Sequence, residues 1–189
     1  METVAKTTNF RQEFLWELSI PETQLIALAE AVPAESYSWR PAEDARTFSA
    51  VLVHIGAGNL LLLHLAGALT PDMVDLSGPI EGDMESRWKA MIRRGLFLER
   101  TLSEKTAVID LLRRSFKAVR ETFDAATEDE LGKEIEFLGQ TTTARRFYMR
   151  MLAHSHEHMG QAIAYVRTMG LRAPWPDPLK AIEGVEAKP

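Results

Sequence analysis

Hydrophobic and polar positions along the chain recur at helical intervals. No stretch alternates strictly over enough residues to predict a large β-sheet. The first periodic stretch runs from about Asn9 to Val32 and ends at Pro33. Pro21 falls inside it, shortly after Ser19, a residue able to cap a new helix, so the pattern predicts an element kinked or split there. A loop from Ala34 to Arg46 carries Trp39-Arg40-Pro41. The second helix is expected from about Thr47 to Leu69, closed by Thr70-Pro71-Asp72, and residues 72–82 read as an irregular connection around Gly78-Pro79 and Gly82. Helical pattern resumes near Asp83, breaks at Leu102-Ser103-Glu104 with Ser103 as the expected N-cap, and continues to about Ala126. Thr127 to Glu130 opens a short helical turn, and Ile135 to Thr143 reads as an extended excursion with Gly139 at its tip. The last long helix spans about Thr143 to Met169, with Gly170 as its left-handed stop. In the proline-rich tail, Trp175 is expected to pack back on the body and residues beyond Leu179 to be disordered. The pattern predicts an all-α protein, a four-helix bundle with short irregular connections. One domain is expected over residues 1–175, with the tail over 176–189.

Composition narrows the chemistry. A chain of 189 residues suits one domain, and 46% hydrophobic content is globular. There is no cysteine, so disulfides, cysteine zinc sites, iron–sulfur clusters and thiol nucleophiles are excluded. That composition suits a reducing compartment, and Met1 to Asn9 lack the apolar core of a signal peptide; a cytoplasmic location is the expectation. The net charge is −5, and the pairs Arg93-Arg94, Arg113-Arg114 and Arg145-Arg146 are short and sit beside acidic residues. They read as solvated helix faces, and no nucleic-acid partner is expected. Val51 to Leu69 is almost continuously apolar, but it carries His54, Asn59 and His64, so a buried central helix fits better than a membrane span.

The candidate chemistry lies in the histidines at 54, 64, 154, 156 and 158. On a helix, residues four apart are turned by only about 40° and rise by about 6 Å, so His154 and His158 share a face. His156 is turned by about 200° from His154 and points away. Phe147, Met151, His154, His158, Tyr165 and Met169 follow core spacing, and Gln161 lies on the same stripe. Two imidazoles on an apolar seam are costly unless partnered. Backbone or carboxylate partners would satisfy them, and so would one metal ion. His54 falls within the second helix's apolar stripe, beside Val51 and Ile55. Gly58, one turn on, offers either room for an exogenous ligand or close helix packing. His64 is turned about 80° from His54 and is not expected to join it.

At these residues the chain resembles the DinB-like/YfiT-like superfamily. The run His154-Ser-His-Glu-His158-Met-Gly-Gln161, followed by Tyr165, Arg167 and Gly170, is similar to that family's last helix. Trp39-Arg40-Pro41 and the downstream His54 match its tryptophan–proline loop and upstream histidine. The resemblance covers roughly residues 10 to 175; Met159 departs from it, standing where the family carries an arginine. It implies a four-helix bundle, commonly dimeric, with a three-histidine site for one divalent ion, zinc, nickel or iron. Open coordination positions in such a site are of the catalytic type. It further implies metal-dependent chemistry on a small-molecule substrate, with a low-molecular-weight thiol as co-substrate in known members. On that reading His54, His154 and His158 are the metal ligands, while Gly58, Gln161 and the Trp39 loop shape the pocket.

Other readings attach to the same residues. Glu157 follows His156, but Gly160 breaks the zinc-protease spacing His-Glu-x-x-His, so Glu157 is not expected to act as a base. A thiol-dependent S-transferase or hydrolase is the leading function. The alternatives are a non-catalytic metal or small-molecule binding stress protein, and a structural bundle acting through dimerisation. Phe97, Leu98 and Trp88 are expected to be exposed at a homodimer interface.

Overall fold

The structure, a computed structural model, describes residues 9–68 and 82–176. Helix α1 (Phe10–Ala31) begins with a capping box in which Asn9 and Gln12 satisfy each other's free backbone N–H groups. It is not split at Pro21. The ring is buried inside a continuous helix, and Ser19 Oγ donates to the Trp16 carbonyl at 2.6 Å instead of capping a new turn. A short 3₁₀ turn (Ala34–Ser36) leads into the loop before α2 (Phe48–Leu65). That loop is pinned to the bundle: Phe48 N–H donates to the Trp39 carbonyl at 2.8 Å, Ser49 N–H to that of Tyr37 at 3.0 Å, and Tyr37 Oη to that of Ala29 at 2.6 Å. These bonds satisfy N–H groups that the start of α2 would otherwise leave without partners.

Helix α2 stops at Leu65, short of the expected Leu69. Gly67 takes φ +88°, and Ala68 N–H closes back on the Leu63 carbonyl at 3.0 Å, the glycine-dependent stop seen again where Gly170 (φ +76°) ends the last helix. The expectations for residues 69–81 and for the tail beyond Leu179 lie outside the described residues. Trp175 packs against the core, as its sequence position suggests.

Helix α3 (Met84–Thr101) and helix α4 (Lys105–Ala125) meet at the expected break. The cap is Glu104 and not Ser103. The longer Glu104 side chain folds back to accept from Thr106 N–H and Ala107 N–H, which moves the helix start one residue on. After the single turn α5 (Glu128–Gly132), strands β1 (Glu134–Phe137) and β2 (Gln140–Thr143) form an antiparallel hairpin pairing Glu134 with Thr143 and Phe137 with Gln140. Leu138 and Gly139 at its turn both have positive φ, which matches the twist of a two-residue hairpin. The chain closes with α6 (Ala144–Thr168).

Four helices form a ring: α2 packs on α4 and α6, and α1 packs on the same two from the other side. Helix α3 lies along the outer side of α2. Three neighbours thus surround α2, which is long and apolar enough to cross a membrane but has 72% of its length buried in the protein. Inside the ring, Ser155 Oγ donates to Asn59 Oδ1, and Asn59 Nδ2 to Ser115 Oγ, each at 3.4 Å. This buried polar chain ties α6, α2 and α4 together. Of the three apolar residues expected at an interface, only Phe97 is exposed. Leu98 is buried between α3 and the core, and Trp88 packs edge-on against Phe137 of the hairpin, because both lie on the stripe by which α3 attaches.

His64, near the end of α2, is buried; its Nδ1 accepts from Arg87 at 3.5 Å, and among the described residues its Nε2 has no partner. Burial, and then the Arg87 charge, hold its pKa below the usual histidine range. The unfolded chain takes up a proton near pH ~6.5, while the folded chain resists doing so until the pH is lower. The group therefore contributes stability above its unfolded pKa, and that contribution is lost as pH falls toward the folded value. Denaturant titrations between about pH 7 and pH 5 are expected to show a shallower loss of stability for His64→Gln than for the wild type. Equal slopes would mean that His64 titrates alike in both states.

Candidate metal centre

Three imidazoles meet between α2 and α6. His54 comes from the middle of α2, and His154 and His158 stand one turn apart on α6. Their ring centroids lie 4.8 Å (54 to 154), 4.6 Å (54 to 158) and 4.6 Å (154 to 158) apart. One ring nitrogen from each falls within 4.8 Å of the others. The distances place all three of the histidines singled out in the sequence around one point.

The outer nitrogens decide which way each ring presents its lone pair. His54 Nδ1–H donates to Glu99 Oε1 at 2.8 Å. His158 Nδ1–H donates to Gln161 Oε1 at 2.8 Å, and Gln161 Nε2 in turn donates to Tyr165 Oη at 3.0 Å. With Nδ1 committed to these acceptors, both rings turn Nε2 inward. His154 Nε2 lies 3.1 Å from His54 Nε2, and its Nδ1 is buried with no partner among the described residues. Ring nitrogens of all three imidazoles thus face one another, and a cation or a proton between them would satisfy the lone pairs directed inward.

The donor set fits a divalent transition metal. Zinc–imidazole bonds of about 2.0–2.1 Å in a tetrahedron set neighbouring nitrogens about 3.3 Å apart, close to the 3.1 Å seen between His54 and His154. Burial pushes the His154 pKa down to about 3, helped by the neighbouring His54 and His158. Burial also lowers that of His158, against the opposing bond to Gln161. Both are therefore neutral near pH 7, the form that ligates. Among the described residues the group has three donors, which leaves coordination positions open.

Of the two readings of Gly58, close packing of α2 against α6 holds, and what packs there is a ring of the histidine cluster. An added Cβ there would sit 2.7 Å from His154 Cε1 and 3.2 Å from Nδ1, so the room one turn below His54 is filled by the protein's own imidazole. His156 points away, donating from Nδ1 to the Leu152 carbonyl at 3.0 Å. Glu157 is exposed and paired with Arg150 at 3.2 Å, and His64 stays apart beside Arg87. Trp39 packs edge-on against Tyr165, with ring centroids 5.5 Å apart, so the loop before α2 braces the residue that holds Gln161.

The sequence reading missed Glu99 and Arg46. Glu99 bridges His54 and Arg46, whose Nε donates to Oε2 at 2.6 Å. Burial alone would raise the carboxyl pKa, but the hydrogen bonds from His54 and Arg46 and their charges outweigh it and hold the group below the usual range. A signal was present. Trp88, Met91, Gly95, Leu98 and Leu102 follow core spacing on α3, and Glu99 sits on that stripe four residues after Gly95, an unexpected place for a lone carboxylate. Glu99, Gln161 and Tyr165 also line a cleft of about 870 Å³ beside the histidines.

Comparisons with known proteins agree with this architecture. The chain is 25% identical over 146 residues to the uncharacterized protein YjoA of Bacillus subtilis, covering 76% of this chain and 80% of that one. A solved DinB-like protein from Bacillus cereus superposes with a TM-score of 0.63 at 20% identity, covering 87% of this chain and 95% of the other. YfiT from Bacillus subtilis, described as "a probable metal-dependent hydrolase with an unusual four-helix bundle topology", superposes at 0.61 with 14% identity, covering 90% and 94%. The model of the DinB superfamily matches residues 18–162, and the chain belongs to that superfamily.

Proposed function

We propose that this chain is a divalent-metal-dependent enzyme of the thiol-dependent S-transferase or hydrolase type, with His54, His154 and His158 as the ligands. One observation carries the reading: three imidazoles converge, two of them with the outer N–H already committed to Glu99 and Gln161. The description of YfiT as metal-dependent supports it. A bound divalent ion supplies Lewis acidity and makes a nucleophile of water or a thiol at neutral pH. The chain's own residues do the rest. Glu99 holds the His54 proton on Nδ1, so the ring cannot turn its lone pair away. Gln161 does the same for His158, and Tyr165, braced by Trp39, holds Gln161. The cleft lined by Glu99, Gln161 and Tyr165 adjoins the residues that hold His54 and His158, and a small molecule bound there would touch those holding residues.

Purified protein is expected to bind one equivalent of zinc, nickel or iron, with nitrogen ligands near 2.0–2.1 Å for zinc by X-ray absorption. His54→Ala and His158→Ala are each expected to abolish stoichiometric binding. Undiminished binding in both variants would sink the assignment, and metal-loaded protein inert toward small thiols, electrophiles and hydrolysable esters would remove the enzymatic part.

Two further substitutions probe how the ligands are held. Glu99→Gln keeps an acceptor for His54 but removes the charge, and is expected to weaken metal binding by about 10–100-fold with little change in Tm. Wild-type affinity in this variant would show that Glu99 does not position the ring. Gly58→Ala adds a methyl group where His154 stands. Alanine favours a helix over glycine by roughly 1 kcal/mol, so the fold is expected to survive while metal affinity falls at least about tenfold. An unchanged metal affinity would mean that the His154 ring has room to retreat.

A further inference from the structure

The cleft beside the histidines has an uneven charge that the metal reading leaves unused. Arg40, Arg46 and Arg100 line it, against Asp44 and Glu99. Arg46 lines the cleft and bonds to Glu99 through Nε, and among the described residues its two terminal Nη groups have no partner. Arg40 and Arg100 are exposed, and among the described residues neither has an ion-pair partner. The lining charges sum to one net positive. Hydroxyls on the same wall, Thr47 and Ser49, lie 3.0 Å from each other and add short polar reach.

We infer that this cleft binds a carboxylate group on the substrate, and that Arg46 selects for it. A guanidinium with two free Nη groups offers the planar fork that carboxylates accept. One net positive charge suits a single carboxylate better than a doubly charged phosphate, which would meet Asp44 and Glu99 as well. The position matters too. Arg46 is joined through Glu99 to His54, and Gln161, on the same cleft, is joined to His158. Arg46 is thus a specificity-determining residue that also positions Glu99. The inference rests on the enzymatic reading for the word substrate, but the binding can be measured without metal.

The test is a titration of the full-length chain, with and without zinc, at low ionic strength, following the arginine Nε–H signals by NMR. The probes are 4-phenylbutyrate, its uncharged amide and inorganic phosphate. Saturable shifts with the carboxylate, at least about fivefold weaker binding of the amide, and weaker binding of phosphate are expected. Arg46→Gln is expected to weaken carboxylate binding by at least about fivefold, and the exposed Arg100→Gln by about threefold. Should Arg46→Gln disturb the fold, Arg100→Gln and the amide comparison still decide. Equal binding of acid and amide, tighter binding of phosphate, or wild-type affinity in both variants would overturn the proposal. Because the metal-free titration is read separately, loss of the metal assignment leaves this result standing, and failure here leaves the histidine site untouched.

Discussion

The convergence of three imidazole rings between two helices is the constraint on which the rest of this molecule depends. Three imidazole rings stand with centroids under 5 Å apart between two helices, and burial keeps His154 and His158 neutral. Neutral rings in that arrangement attract one another little. They need a shared cation or proton, and they need outside partners to keep the correct nitrogen turned inward. The fold supplies those partners from two directions, Glu99 from α3 and Gln161 from within α6.

Holding the rings in place also requires that α2 and α6 not slide past each other. A slip of one turn would carry His54 about 5.4 Å along the helix axis, farther than the cluster tolerates. The buried chain Ser155–Asn59–Ser115 resists such a slip. Ser155 is next to His154 in sequence, and Asn59 stands a little over one turn beyond His54. Displacing either helix would therefore strand polar groups in the core. Gly58 adds a steric condition, because the helices approach as they do only while position 58 lacks a side chain against the His154 ring. Polar pairing and steric fit thus specify the same register.

Much of this was legible in the sequence because helical spacing carries information about faces. The interval between His154 and His158, and their place on the stripe of Phe147 and Met151, put both on the buried side of α6, where the structure has them. The hairpin and the last helix's stop were marked by Gly139 and Gly170. The early end of α2 was written in Gly67, but the apolar run beyond it masked the signal. What stayed hidden depends on contacts between elements distant in sequence. Glu99 is 45 residues from His54, and its pairing with His54 and Arg46 follows from how α3 lies on α2. Periodicity reports which face of α3 is buried but not what that face meets, which is also why Trp88 and Leu98 read as exposed.

The three histidines are not equivalent, and the difference has an electrostatic consequence. His54 leans on an anionic carboxylate, His158 on a neutral amide, and His154 on nothing. An anionic partner makes an imidazole the stronger donor, so electron density at the site is weighted toward the α2 side. Glu99 does this without leaving the site negative, because the Arg46 guanidinium balances its charge. Three neutral rings and a neutralised carboxylate would leave a divalent ion's charge uncancelled by its protein ligands. A field of that sign would extend through a low-dielectric wall to the cleft, where Arg40 and Arg100 already tilt the balance the same way. The pairing of Arg46 with Glu99 therefore does two things at once. It fixes a histidine, and it balances the carboxylate's charge beside the site.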